Sequence, residues 1–390
     1  MSIEYAKIFM QALDKELVPL LTSAPMELNQ NMVRYNGGNE VKIPKIVLEG
    51  LAPYNRSTGF DTGAITLAYE THTLTQDRGK EFNLDAMDVD ESNFVATAGN
   101  VVGEFQRVKV APEIDAYRYS RIFAVANAGL KTEAYTPNDN DIFEKLSGNI
   151  ADVQDVVGDA EPMTIYMSYA AANKLDLADK IEKRLEVGDF ARGGVSLKVK
   201  SLDGIPIIRV PSARFKSLFT FGNNGFTVGT NAMNINWIIS ADRGLIAVNK
   251  QDKMRVFSPD VNQEMDAWRI QYRRYHDLFV PENKVAALWV SYTAITAPTL
   301  NLTIAKGTAA GTKFSVTEAE GDYTIGYSLT DAALTPKFNE VVDPDEDNYT
   351  ENADIATATA GKFLNVFFLD ANLRVMAFAS AELAAGDIYS

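Results

Sequence analysis

Few residues in this chain have types or spacing suited to chemistry. Cysteine is absent, which excludes disulfides, thiolate nucleophiles and sulfur-ligated zinc. His72 and His276 are the only histidines; they lie far apart and belong to no HxH or HExxH pattern. His72 sits in Glu70-Thr-His-Thr-Leu-Thr75, an alternating stretch that points to a solvated or interface strand position. His276 is followed by Asp277, but a general base needs a nucleophile, and none is suggested by spacing. No GxxxxGK[ST], strand-led GxGxxG, GxSxG or SxxK motif occurs. The chain reads as a non-enzyme with no cofactor.

Two charged groups could bind ions. Asp343, Asp345 and Asp347, with Glu351 and Asp354 downstream, fall on the oxygen-ligand positions of a calcium loop. Asn348 stands where such a loop carries glycine, Asp354 replaces the closing glutamate, and β-type runs flank it. A solvated acidic loop is the simpler reading, and no metal is expected. Arg269, Arg273 and Arg274 supply local positive charge of the kind that phosphates attract, with ion pairing within a strand as the alternative. The whole chain opposes free nucleic-acid binding: 37 Lys and Arg face 52 Asp and Glu, a net charge of −15 over 390 residues.

The elements that carry these residues follow from apolar periodicity. Ile3, Ala6, Met10, Leu13 and Leu17 predict an amphipathic helix over 3–21, bounded by Pro25. From Asn36 to about Asp90, glycines and prolines punctuate short apolar runs, and Ile65, Leu67 and Tyr69 alternate with Thr66, Ala68 and Glu70. This predicts a long, mostly polar β-hairpin with its tip near 53–63. Such a ribbon is marginal alone and needs contacts on another subunit. Asp88-Val-Asp-Glu91 precedes Phe94, Ala98, Val101, Phe105 and Val108, a helix over 93–111 that Pro112 interrupts or kinks. A second helical segment ends near Gly129. Residues 134–257 suggest an α/β domain, with Asn140 or Asp141 capping a helix that Gly158 ends. Strand candidates are 163–167, 195–199, 205–210, 237–240, 245–249 and 254–257. Residues 258–292 return as strands. From 297 to 390 five basic and fourteen acidic residues carry −9 of the charge, in short β runs without a helix pattern. No stretch approaches a membrane span and no signal peptide precedes the chain, so a soluble cytoplasmic protein without membrane partners is expected.

Leu74-Thr-Gln-Asp-Arg-Gly-Lys-Glu-Phe82, Asp88-Val-Asp-Glu91, Glu104-Phe-Gln-Arg-Val-Lys-Val110 and Ile114-Asp-Ala-Tyr-Arg-Tyr-Ser-Arg-Ile-Phe123 resemble the major capsid proteins of tailed bacteriophages. The resemblance implies an α+β Hong Kong 97-like capsid fold. Its N-terminal arm would be 1–40, its extended loop 41–90, its peripheral domain with the spine helix 91–133 and 251–292, and its axial domain 134–250. Residues 297–390 resemble an all-β immunoglobulin-like outer domain. The implied function is self-assembly into hexamers and pentamers of an icosahedral head shell around double-stranded DNA. Arg78, Lys80 and Glu81 are the candidates for inter-subunit ion pairs, and Arg269, Arg273 and Arg274 for contact with DNA. A separate scaffolding protein and a portal protein are the other implied partners, with assembly in the host bacterial cytoplasm and residence in the virion. The alternatives are the shell of an encapsulin-like nanocompartment and a surface-binding β-domain protein.

Overall fold

In a computed structural model, residues 21–35, 38–52, 54, 56–57, 59–60, 63–87, 98–158, 161–178, 185–192, 195–262, 264–317 and 323–389 are described. Most of the expected helix over 3–21 and the acidic run 88–91 lie outside them. Two compact units form, Met1–Glu133 with Pro137–Tyr292 and Ala134–Thr136 with Thr293–Ser390.

In the first unit, a 3-10 segment, Ala24–Met32, leads into β1 (Arg34–Tyr35), β2 (Glu40–Leu48) and β3 (Ile65–Thr73), an antiparallel sheet in that order. β4 (Gln76–Asp85) does not continue the hairpin, although the sequence suggested one ribbon to residue 90. The chain turns away because Leu74 is buried and the Thr75 N–H donates to Asp277 Oδ2 at 2.8 Å. α1 (Ala98–Phe105) passes through a π-helical turn, Gln106–Val110, directly into α2 (Ala111–Ala128). Pro112 does not end the helix, although the α-helical ladder gives way to the π turn just before it. A proline lacks the N–H of the helical ladder and crowds the preceding turn, and the wider π turn just before it relieves both demands.

β5 (Thr132–Ala134) precedes α3 (Ile142–Val157), which Gly158 ends at φ 75°, as its position predicted. Then come β6 (Met163–Ser168) and α4 (Tyr169–Leu177), whose N-terminus is capped by Ser168 Oγ accepting the Ala171 N–H at 3.2 Å. The unit continues through β7 (Leu185–Arg192), β8 (Val195–Leu202), β9 (Ile205–Val210), β10 (Phe219–Gly222) and β11 (Gly225–Val228). It closes with β12 (Asn234–Ala241), β13 (Ile246–Phe257), β14 (Ala267–Phe279) and β15 (Leu288–Thr293). Besides the β1-β2-β3 sheet, the described strands of this unit form three more: seven strands ordered β5-β15-β12-β6-β9-β8-β7, three ordered β13-β14-β4, and the β10–β11 hairpin.

A buried polar network joins α2 to the segment before β1. Arg118 is fully buried; its Nη1 donates to Ser23 Oγ at 3.0 Å and its Nη2 to Glu27 Oε1. Glu27 also meets Arg274 Nη2 at 3.1 Å, and Arg274 Nη1 reaches Asp252 at 3.0 Å. The buried Asp115 accepts the N–H groups of Thr22 and Ser23 at 3.1 and 3.0 Å and Arg214 Nη1 at 2.8 Å. Burial works to raise the Glu27 carboxyl, but the charges of Arg118 and Arg274 hold it below its usual range.

Among its described residues the second unit is all-β apart from a 3-10 turn, Ala385–Asp387. β16 (Asn301–Lys306) pairs with β17 (Thr312–Thr317), and β18 (Thr324–Thr330), β19 (Phe363–Leu369) and β20 (Val375–Glu382) form the other sheet. Phe314 from the first sheet and Leu364, Val366 and Phe368 from the second share one core, a sandwich-like arrangement. Phe367 and Leu369, on the opposite face of β19, enter a second cluster with Ala297 and Val375, so β19 is buried on both sides.

Removing one partner of a buried ion pair strands the others, whereas an exposed pair contributes little. Arg118→Met should lower unfolding stability in urea by about 3–5 kcal/mol. Arg107→Ala, which breaks the exposed pair with Glu104, should cost below about 1 kcal/mol in the same titration.

Candidate assembly surface

The β2–β3 register sorts the hairpin into two faces. Pro44 lies opposite Tyr69, Ile46 opposite Leu67 and Leu48 opposite Ile65. Directly opposed residues share a face and the side-chain period is two, so these six form one apolar ladder. None is covered: Ile46 is 65% exposed, Leu48 66% and Ile65 77%. At the tip Leu51, Tyr54 and Phe60 are also exposed, with the two aromatic rings edge to face at 5.0 Å. The ribbon expected to be mostly polar therefore has one apolar face, a patch of the kind that marks an interaction site.

The opposite face anchors the hairpin at its base. Val41 and Ile43 are buried with Val33, Leu74, Ile246, Val248 and Phe279. His72 stacks on Phe279 at 4.8 Å, with its Nε2 2.7 Å from Glu70 Oε1. Asp277 fixes the turn into β4, accepting the Thr75 hydroxyl at 3.0 Å and the Tyr117 hydroxyl. Burial, then the Asp277 charge, pushes the Tyr117 phenol above its usual range, so it stays protonated as the donor.

Of the residues singled out as interface candidates, Arg78 and Lys80 lie on one face of β4 and Glu81 on the other. Arg78 joins β4 to two other elements: Nε donates to Glu113 Oε1 at 2.7 Å and Nη2 to Gly222 O at 2.8 Å. Lys80 Nζ lies 3.3 Å from Asn223 O. Glu81 accepts Gln271 Nε2 at 2.7 Å and forms an ion pair with Arg269, whose Nε lies 3.0 Å away, and the two hold its carboxyl below the usual range. All three therefore have partners within the chain.

The three arginines do not form one basic cluster. The pleat sends Arg269 and Arg273 outward, where Arg269 meets Glu264 at 2.8 Å and Arg273 grips Asp77 through two hydrogen bonds. Arg274 points inward and is 4% exposed, which removes it as a surface contact for nucleic acid. The five carboxylates of the calcium-loop pattern are not gathered either. Asp345 accepts the Leu329 N–H at 2.7 Å and Glu351 that of Val316 at 2.8 Å. Asp354 accepts those of Thr308, Ala309 and Ala310, which hold its carboxyl below the usual range. Asp343 and Asp347 are exposed. Among the described residues no group of three acidic, histidine or cysteine side chains could hold a metal, and no helix is long and apolar enough to cross a membrane.

Residues 305–386 match the model of the S-layer protein SbsC C-terminal domain family. No curated protein matches the chain. Among solved structures, the chain is similar to the mature capsid of bacteriophage PhiM1, at 12% identity over 66% of this chain and 83% of that one, with a TM-score of 0.47. The capsid of cyanophage P-SCSP1u shares 14% identity over 67% of this chain and 85% of its own, with a TM-score of 0.45. A virus-like particle from Pyrococcus furiosus shares 13% over 69% and 96%, with a TM-score of 0.39.

His276 is buried, 3% exposed, and edge to face with Tyr117. Burial, then the charges of Arg274, Arg118 and Arg78, hold its imidazole well below the usual range, so the folded ring is neutral. The unfolded chain takes up that proton near pH 6.5, binding one more than the native state, and stability falls as pH falls below that value. Glu27, with its lowered pKa, acts in the same direction further down. Its contribution is complete above the ordinary carboxylate value and is lost as pH falls through the folded one. Urea unfolding should show stability decreasing from about pH 7 to about pH 5, by up to about 1.4 kcal/mol per unit. His276→Gln should flatten that slope.

Proposed function

We propose that this chain is the major capsid protein of a tailed bacteriophage, a structural subunit that assembles with copies of itself into the hexamers and pentamers of an icosahedral head. The observation that carries this reading is the uncovered apolar ladder on a hairpin whose base is fixed to the subunit body. Covering each large apolar side chain is worth roughly 1.5–3 kcal/mol, which gives a second copy a strong reason to bind there. Repeated heterologous contacts of that kind close into rings. Of the segments that resemble the capsid family, Gln76–Phe82 lies on β4, Glu104–Val110 on the end of α1 and the π turn, and Ile114–Phe123 on α2.

In this reading the Hong Kong 97-like parts are the arm 1–40, the extended loop 41–90, the peripheral domain 91–133 with 251–292, and the axial domain 134–250. Residues 297–390 form an immunoglobulin-like outer domain whose −9 charge keeps shells apart and away from packaged DNA. A scaffolding protein guides assembly, a portal protein occupies one vertex, and DNA contact is nonspecific, through surface arginines such as Arg269 and Arg273. Assembly takes place in the host cytoplasm, and the chain has no enzymatic role. The S-layer match over 305–386 favours a second reading for that segment alone, a β-domain serving surface attachment.

Electron microscopy of the purified protein, with and without its scaffolding partner, should show closed particles of uniform diameter. Ile46→Asp with Leu67→Asp should abolish them while leaving the subunit's thermal midpoint within a few degrees, since both side chains are exposed. Deleting 297–390 should leave particle formation intact; shells that no longer form would contradict an outer placement.

A further inference from the structure

A cleft of about 900 Å³ opens between β4, the junction of α1 with α2, and the β10–β11 turn. β4 is the edge strand of its sheet, and no described strand pairs with its other side. Four consecutive residues of that strand, Asp77 to Lys80, and then Phe82 line the cleft. A strand edge presents unpaired main-chain donors and acceptors to an extended peptide.

The side chains around the cleft specify which peptide would fit. Phe82 and Phe105 pack edge to face at 4.8 Å and are only half-buried, and Val108 and Phe226 extend the apolar wall. The carboxylates lining the cleft are already engaged, Glu113 by Arg78 and Asp77 by Arg273. Lys80 and Lys109, both exposed, have no carboxylate partner among the described residues, which leaves two uncompensated positive charges. The buried His276 also lines the cleft, and its Nδ1 has no hydrogen-bond partner among the described residues.

We infer that this cleft binds an extended acidic segment of a partner polypeptide, one that carries carboxylates and aromatic or branched apolar side chains two residues apart on the same face. The segment adds to β4 as a strand, its carboxylates meet Lys80 and Lys109, and its apolar side chains rest on Phe82, Phe105 and Val108. Lys80 and Phe82 share one face of β4, so the carboxylates and apolar side chains that meet them share one face of the peptide and stand two residues apart. The inference does not depend on shell assembly, because the cleft lies within the first unit of a single chain.

The test uses the full-length protein on an array of immobilised octapeptides in which Asp, Asn or Lys stands two residues from Phe, Val or Ala, with Ser at the positions between. Retention of Asp-Phe and Asp-Val peptides should exceed that of their Asn counterparts by about tenfold, and should fall as salt is raised. Lys80→Gln with Lys109→Gln should remove the Asp preference, and Val108→Asp should remove retention; all three positions are exposed, and circular dichroism verifies the fold. The salt dependence of the unaltered protein tests the same point should a variant not fold. Equal retention of Asp and Asn peptides, retention unchanged in the folded variants, or no retention by the unaltered protein would overturn the inference.

Discussion

A guanidinium buried away from water must be met by oxygen atoms, and Arg118 meets Ser23 and Glu27. That requirement fixes the segment before β1 against α2, and Asp115 on the same helix fixes it again through the backbone of Thr22 and Ser23. From there the path to β1 is set by side-chain amides. Asn29 donates to Leu245 O at 2.7 Å and Gln30 to Asn249 O at 2.9 Å, which ties the segment to β13. The hairpin leaves the body from a base positioned by these bonds. The buried charges on α2 thus add to the apolar cluster around Val41 and Ile43 in fixing the base of the apolar ladder.

The sheet of β13, β14 and β4 serves two environments at once. Its outer face pairs Asp77 with Arg273 and Glu81 with Arg269, exposed bonds that add solubility more than stability. Its inner face presents Ile270 and Tyr272 to Val102, Val110 and Ile114 of the helix. The hairpin reverses this arrangement beyond its base, since its apolar face has no helix over it. The difference separates a finished core from a surface still to be covered.

Much of this was legible in the sequence where local signals agree. The apolar runs at β6 and β9 fall within a residue of the observed strands, and Gly158 ends α3 because only glycine adopts its φ of 75° without strain. β13 was read as two runs because the register shift between Asn249 and Gln251 breaks its alternation. β10 and β11 are four residues each, too short for periodicity to show. Arg118 and Asp115 look like solvated helix positions until tertiary contacts are known. The apolar ladder was half visible, in the alternation of β3. In β2 the run Ile43-Pro-Lys-Ile-Val-Leu48 does not alternate, and only the pairing register shows which of its residues join Tyr69, Leu67 and Ile65. The same pleat divides Arg273 from Arg274, adjacent in sequence and opposite in exposure.

Assembly through the hairpin is tested most directly by amide hydrogen exchange over residues 40–73, compared between the dissociated subunit and the assembled particle. The apolar ladder predicts rapid exchange around Ile46–Leu48 and Ile65–Leu67 in the subunit and strong protection in the particle, with the base near Val41 and Ile43 protected in both. Equal exchange of the outer hairpin in the two states would contradict a role for this face in joining subunits.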